Sequence, residues 1–190
     1  MTGIRRQYCY TRAAWVAIVS DTHGFIDPRV ADVVRHCDLV VHAGDIGCAQ
    51  VLSALRPRHK AVLAVCGNND TARKWPVRDR AVLAALPNDL AIDLPGGRLV
   101  VIHGHQIAAA ARRHARLRNR YAEARAIAYG HSHRLVCDYE HDPWVLNPGA
   151  AGRSRTFGGP SCLLLHARKT LWDIEVVRLP AMRRQRRCHG

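Results

Sequence analysis

The sequence contains no apolar run that approaches the ~20 residues needed to cross a bilayer, so it gives no sign of a membrane-spanning helix. Arg5 and Arg6 precede an apolar run that is too short for the core of an export signal. Hydrophobic residues nevertheless make up 48% of the 190 residues, which is more than a disordered segment carries. These features predict one soluble domain over residues 13–180, basic flexible termini at 1–12 and 181–190, and no targeting segment.

Paired cysteines are also missing. The seven cysteines are scattered, and none of them forms a Cys-x-x-Cys pair. An odd number of isolated cysteines argues against a disulfide framework and fits a reducing compartment. We therefore expect a cytoplasmic protein.

Lysine is scarce, although the chain is strongly basic. Only Lys60, Lys74 and Lys169 are lysines among 29 basic residues, and 15 acidic residues leave a net charge of +14. This excess is compatible with a polyanionic partner such as nucleic acid, but an arginine-biased codon supply explains much of it, and we do not favour the polyanion interpretation. The arginine-dense segment 107–125 is either a solvated helix face or a basic rim that attracts phosphate, and we favour the solvated face.

Short apolar runs alternate with helix-like segments along the chain, a pattern typical of βαβ units and a largely parallel sheet. Core strands are predicted at residues 13–19, 39–43, 61–66, 98–102 and 126–129. Helices are predicted at 28–35, 49–55, 79–86 and 107–125, and antiparallel strands at 135–139, 144–146, 162–165 and 171–177. The fold class is therefore α/β.

Each of the five core strands ends within a residue or two of side chains that can bind a metal ion. These side chains are Asp21 and His23, Asp45, Asn68, His103, and His131 with His133. In open α/β sheets ligands bind outside the carboxyl ends of the strands, so the fold would bring these residues together. Imidazole, carboxylate and amide oxygen suit Mn²⁺, Fe, Ni²⁺, Co²⁺ or Zn²⁺, and the absence of thiolates among them argues against a structural zinc site.

Five sequence blocks, in this order and spacing, resemble the signature of the calcineurin-like metallophosphoesterases, in particular the small YfcE-type phosphodiesterases. They are Ser20-Asp21-Thr22-His23-Gly24, Gly44-Asp45, Gly67-Asn68-Asn69-Asp70, His103-Gly104-His105 and Gly130-His131-Ser132-His133, followed by Asn147-Pro148-Gly149. The resemblance covers residues 16–177. It implies a four-layer α-β-β-α sandwich with two sheets face to face, helices outside, and a dinuclear metal site at the carboxyl ends of the strands.

The same resemblance implies a ligand set and an activity. One metal would take Asp21, His23, Asp45 and His133, and the other would take Asp45, Asn68, His103 and His131, with Asp45 as the bridge. The implied enzyme uses two divalent ions, Mn²⁺ first among them, and a bridging hydroxide to cleave phosphoesters, chiefly phosphodiesters. The chain has neither a glycine-rich phosphate cradle nor a Gly-x-Ser-x-Gly elbow, so other hydrolytic mechanisms lack their sequence features.

Asn69 departs from the pattern of the wider superfamily, in which many members carry a histidine that resembles a general acid at this position. An amide cannot donate a proton at neutral pH, so we expect activity to favour phosphodiesters and activated esters. His105 either contacts the substrate or is a loop histidine. Asp70 is expected to hold its loop or a ligand through hydrogen bonds, and His42 is expected to lie behind the ligands.

Functions of two other kinds stay open. The same fold occurs as a retromer subunit with a compromised metal site, which makes a non-catalytic protein-interaction scaffold the first alternative, although the intact ligand set argues against it. The second is a nuclease-like phosphoesterase that binds nucleic acid through segment 107–125 and the tail at 183–187. It is not favoured, because no capping domain or long loop is predicted. A homo-oligomer also stays open, and the substrate is expected to be a small phosphoester.

Overall fold

Eleven strands and four α-helices occur in the computed structural model, which describes residues 7–59, 61–107 and 110–181. The strands are β1 (Gln7–Cys9), β2 (Ala14–Val19), β3 (Leu39–His42), β4 (Ala61–Ala64), β5 (Asp89–Leu94), β6 (Gly97–Ile102), β7 (Ala126–Tyr129), β8 (Leu135–Asp138), β9 (Trp144–Pro148), β10 (Ser161–Ala167) and β11 (Trp172–Arg178). The α-helices are α1 (Pro28–Val34), α2 (Ala49–Ala54), α3 (Arg80–Ala85) and α4 (Arg113–Arg120), and short 3-10 helices cover Val77–Asp79 and Ala110–Arg112.

The strands form two mixed sheets. One has the order β11-β10-β2-β3-β4, and the other has the order β1-β5-β6-β7-β9-β8. In the first sheet β2, β3 and β4 are parallel, and β10 runs antiparallel to β2. In the second sheet β6, β7 and β9 are parallel. The parallel strands of both sheets therefore send their carboxyl ends to one edge, where His103 after β6 contacts Ala43 after β3.

Three buried clusters show how the layers are stacked. The central cluster contains side chains from both sheets, such as Leu39 and Leu163 from one and Leu99 from the other. A second cluster packs α1 and α2 against the outer face of the five-stranded sheet, and a third packs α4 against the outer face of the six-stranded sheet. The order helix, sheet, sheet, helix confirms the predicted four-layer sandwich.

The composition of β2 follows from its position between two layers. Val16 and Ile18 point into the core between the sheets, whereas Ala17 and Val19 point to the helix layer. Because both faces are covered, the strand is apolar throughout instead of alternating. Burial of each such valine or isoleucine contributes about 1.5–3 kcal/mol to stability.

Two boundaries differ from the prediction. Gln7–Cys9 forms β1 and pairs in parallel with β5, so the domain begins before residue 13. A three-residue strand is too short to give a periodic pattern in the sequence. Segment 107–125 is only partly helical, since α4 ends at Arg120 and a turn closed by the Ala124 amide on the Tyr121 carbonyl leads into β7. Residues 1–6 and 182–190, including the predicted arginine tail, lie outside the described residues.

Several arginines of segment 107–125 have structural partners. Arg118 lies 2.6 Å from Asp138 and donates to the Pro143 carbonyl at 2.9 Å. Arg125 donates to the Gly96 carbonyl at 2.6 Å, and Arg113 is 9% exposed. These contacts use the arginines for packing, so the segment presents less free charge than its composition suggests. Among the described residues, no helix has the length and apolar composition needed to cross a bilayer.

Candidate metal centre

The predicted ligands lie at strand ends that are tied to one another through their backbones. The Asp21 amide donates to the Gly44 carbonyl at 3.1 Å, and the His23 amide donates to the Asp45 carbonyl at 2.9 Å. Two further bonds fix the Asp21 carboxylate, one from the Ser20 hydroxyl at 2.6 Å and one from the His131 amide at 3.2 Å. The loops after β2, β3 and β7 are therefore held in register with one another.

Backbone strain is concentrated at these positions. Among the described residues, seven that are not glycine have a positive φ, and five of them are predicted ligands. They are Asp21 (53°), His23 (47°), Asp45 (54°), His131 (68°) and His133 (57°). A positive φ is unfavourable for any residue with a Cβ atom and persists only where the surroundings enforce it. Such clustering at side chains that converge is typical of a functional site.

One group of donor atoms is formed by Asp21, His23 and His133, whose ligand atoms lie within 4.8 Å of one another. Nε2 of His133 lies 3.1 Å from Nε2 of His23 and 3.3 Å from Oδ1 of Asp21. Oδ2 of Asp45 lies 3.7 Å from Nε2 of His23. Four side chains thus present lone pairs to the same small volume.

A second group includes Asp45 and His103, whose ligand atoms lie within 4.8 Å of one another and of a carboxylate oxygen of Asp21. Nε2 of His103 is 3.4 Å from Oδ1 of Asp45 and 3.1 Å from Oδ1 of Asn68. The same Asn68 oxygen is 3.0 Å from Nδ1 of His131. The two oxygens of Asp45 therefore face the two groups separately, which is the arrangement a bridging ligand requires.

Two backbone carbonyls set the tautomers of the central histidines. Nδ1 of His103 donates to the Ala43 carbonyl at 2.7 Å, and Nδ1 of His133 donates to the Ser154 carbonyl at 3.0 Å. Because a carbonyl can only accept, the proton is on Nδ1, and in the neutral ring Nε2 offers its lone pair to the centre. This outer bonding is what metal-binding histidines have, so the donor set fits divalent cations.

The protonation of the centre follows from its burial. Burial raises the pKa of Asp21 to about 7 and lowers the pKa of His133 to about 4, so the His133 contact with Asp21 is not an ion pair. Burial opposes ionisation of His103 and Asp45 too, but each group shifts the pKa of the other toward the charged form, and Asn69 also lowers that of Asp45. Near neutral pH the metal-free centre therefore holds protons that a cation would displace.

Asp70 lies outside both donor groups. Its carboxylate accepts the backbone amides of Ile46, Gly47 and Gly67, each at 2.9 Å, and the indole N–H of Trp75 at 2.9 Å. It thereby ties the loop after Asp45 to the loop that carries Asn68. Asp70 therefore acts on the centre through the position of these loops and through its charge, which opposes the lowering of the His23 pKa by burial.

The other predicted candidates take separate places around the centre. Asn69 donates its backbone and side-chain N–H groups to the two oxygens of Asp45, at 2.8 and 2.7 Å, and accepts from Lys74. The His105 ring centroid is 5.5 Å from that of His103, and His105 Nδ1 is buried without a partner. His42 lies behind the ligands, with Nε2 2.9 Å from the Thr22 hydroxyl.

Three participants were not predicted from the sequence. The carbonyls of Ala43 and Ser154 orient His103 and His133, but a backbone carbonyl has no sequence signal of its own. Arg155 places Nη2 3.0 Å from Nε2 of His133. It is one arginine among many, and only the fold distinguishes it from the others.

A family model described as a calcineurin-like phosphoesterase superfamily domain matches residues 15–170. Two curated relatives come from Methanocaldococcus jannaschii. A probable metallophosphoesterase is 27% identical over 141 residues, which is 71% of this chain and 67% of the relative. A phosphodiesterase is 22% identical over 143 residues, which is 70% of this chain and 82% of the relative.

A solved structure with a similar fold is wild-type Vps29 from Entamoeba histolytica in complex with Zn²⁺. The TM-score is 0.64 at 19% identity, and the match covers 87% of this chain and 98% of Vps29. At this identity the likeness shows the fold alone.

We expect Asp70→Ala to weaken the centre without removing a ligand. Four hydrogen bonds to one carboxylate would be lost, so the free energy of unfolding should fall by at least about 2 kcal/mol. Mn²⁺ affinity should fall about 10–100-fold, as it does when groups behind the ligands are removed. Denaturant unfolding and calorimetric titration measure the two effects. Asp173→Ala, at a half-exposed carboxylate, is the control. Equal losses of stability and of Mn²⁺ affinity in the two variants would contradict this role of Asp70.

Mn²⁺ affinity should rise with pH between 6 and 8. The pKa of Asp21 is about 7 and that of His103 is above its ordinary value, so both groups carry protons in the metal-free protein at pH 6. A cation has to displace these protons, and each is lost spontaneously as the pH rises through its pKa. Titration calorimetry in buffers of different ionisation enthalpy should detect proton release at pH 6.5. An affinity independent of pH, with no proton release, would contradict this account.

Proposed function

Because the chain belongs to the calcineurin-like phosphoesterase superfamily, we propose that it hydrolyses phosphoesters, chiefly phosphodiesters, with two divalent cations at this centre. The observation that carries the proposal is the Asp45 carboxylate, whose two oxygens face different donor groups at 3.7 and 3.4 Å. Packing gives no evident reason for a strained loop to place one carboxylate between two groups of side chains that offer lone pairs. Such a carboxylate is suited to holding two cations side by side.

The donor atoms divide between the cations as follows. Asp21, His23, Asp45 and His133 would hold one, and Asp45, Asn68, His103 and His131 would hold the other. Bound cations would supply water activation and neutralisation of phosphoryl charge. Two carboxylates against two divalent ions leave a net positive centre that attracts an anionic ester. Mn²⁺ is our first choice, because imidazole, carboxylate and amide ligands all suit it.

The residues around the centre favour diesters and activated esters over alkyl monoesters. Asn69 has both its N–H groups on Asp45, so it positions that carboxylate and has no proton to give to a leaving group. The leaving oxygen must therefore depart with its charge or take a proton from another group. Esters with acidic leaving groups suffer least from this, which supports a preference for such substrates.

A protein-interaction scaffold is the second candidate function, and a surface feature favours it. An apolar cavity of about 420 Å³ lies between β4 and α3, lined by residues that include Leu52, Val62 and Leu86. Val77 and Val82 nearby are 73% and 39% exposed. Exposed apolar patches are typical of surfaces that bind other proteins, and Vps29 shares the fold. A protein that binds metal but turns over no ester would support this function.

Asp45→Asn should lower turnover of bis(p-nitrophenyl) phosphate by at least about 100-fold. The variant keeps the size of the side chain but removes the charge shared by the two donor groups. Its melting temperature in the metal-free state should fall only modestly, because the Asn oxygen keeps one of the two bonds from Asn69 while its amide nitrogen faces the other donor. Asp32→Asn, at an exposed carboxylate on α1, is the matched control. Near-parental turnover by Asp45→Asn would refute the shared-ligand assignment.

A further inference from the structure

The loop between β9 and β10 contains the remaining backbone strain of the described chain. Besides the five predicted ligands, only Arg155 (φ 51°) and Phe157 (φ 38°) combine a side chain with a positive φ among the described residues. We call residues 152–159 the arginine loop. Strain of this kind clusters at ligand-binding segments, and no ion pair between Arg155 and another described residue accounts for it.

The arginine loop is fixed against the segment that carries Asp21 and His23. A Cβ on Gly152 would lie 2.5 Å from the Thr22 carbonyl oxygen, so only glycine allows this close approach. The Arg153 guanidinium lies 3.5 Å from the centroid of the Phe25 ring, and Arg134 lies 4.6 Å from that of Phe157. These contacts leave Arg155 as the member of the loop that reaches the centre.

Arg155 directs its guanidinium at the donor atoms themselves. Nη2 lies 3.0 Å from Nε2 of His133, while Nδ1 of the same ring donates to the Ser154 carbonyl at 3.0 Å. Nε2 of His133, which Arg155 contacts, is the nitrogen whose lone pair would bind a cation. A guanidinium and a cation cannot share one lone pair, so with the centre loaded Arg155 has donors available for another acceptor.

No carboxylate of the described residues neutralises the charge of Arg155. Within the part of the chain that the structure describes, no carboxylate lies within ion-pair distance of it, whereas Arg29, Arg98 and Arg118 each pair with an aspartate. A guanidinium is a planar fork of N–H donors that matches two phosphoryl oxygens. An unpaired arginine at the rim of a phosphoester site is therefore suited to an anionic substrate.

We propose that Arg155 binds the phosphoryl oxygens of the substrate. The inference rests on the proposed function and adds a substrate-contacting residue to it. Arg155 supplies binding and charge neutralisation, whereas the predicted ligands would hold the cations. We therefore expect the Arg155 side chain to bind phosphate itself, without any leaving group.

The test compares Arg155→Gly and Arg155→Met with Arg153→Met in Mn²⁺-loaded protein. Calorimetric titration with inorganic phosphate should give a dissociation constant about 10- to 100-fold higher in both Arg155 variants. The KM for bis(p-nitrophenyl) phosphate should rise in parallel, with unchanged metal content. Arg155→Gly should be at least as stable as the parent, because glycine accommodates φ 51°. Arg153→Met removes the same charge from the same loop, keeps an apolar contact with Phe25, and should bind phosphate like the parent.

Two results would overturn the proposal. One is equal phosphate affinity in the Arg155 and Arg153 variants. The loop would then attract phosphate only through its overall positive charge. In the other, the Arg155 variants lose Mn²⁺, but the sites that still hold Mn²⁺ bind phosphate as tightly as in the parent. Arg155 would then stabilise the metal ligands and would not bind the substrate. Phosphate binding that depends on Arg155 in a protein without ester turnover would refute the proposed function, while phosphate recognition by Arg155 would remain supported.

Discussion

The Asp45 carboxylate is a buried charge that faces two groups of metal-binding atoms, and much of the surrounding structure serves to hold it there. Asn69 donates to both of its oxygens, and Asp70 fixes the amides of the two residues that follow it. Burial opposes ionisation of Asp45, but the hydrogen bond and charge of His103 and the hydrogen bonds from Asn69 hold its pKa below the ordinary value. A carboxylate held from so many directions has little freedom to turn away from either group.

The two sheets explain why the ligands meet. Parallel strands from each sheet end at one edge of the sandwich, so residues as distant in sequence as His23 and His133 have ring nitrogens 3.1 Å apart. The short loops at this edge hold their side chains through positive φ angles and through bonds to carbonyls of neighbouring loops. Asn147 contributes in the same way, by donating to the Gly130 carbonyl and the Ser132 hydroxyl at 2.9 and 3.1 Å.

The α/β class and most core strands could be predicted from the sequence, because covered strands such as β2 are apolar throughout and end in polar residues. The convergence of Asp21, His103 and the other strand-end residues could be predicted for the same reason. The four-layer order was implied only by the resemblance of the five sequence blocks to the calcineurin-like metallophosphoesterases. The short strand β1 could not be predicted, since three residues are too few to show a periodic apolar pattern. Arg155 was missed because one arginine in a chain rich in arginine has no distinguishing sequence signal, and its place depends on a tertiary contact with His133.

We propose that the chain uses a two-metal centre to hydrolyse phosphodiesters. The direct test is hydrolysis of bis(p-nitrophenyl) phosphate and of p-nitrophenyl phosphate by chelator-stripped protein, before and after addition of Mn²⁺, with metal content measured on the same samples. We expect two metal ions per chain and turnover that returns with the metal and favours the diester. Two bound ions without turnover of either ester would contradict the proposal and would favour the scaffold function.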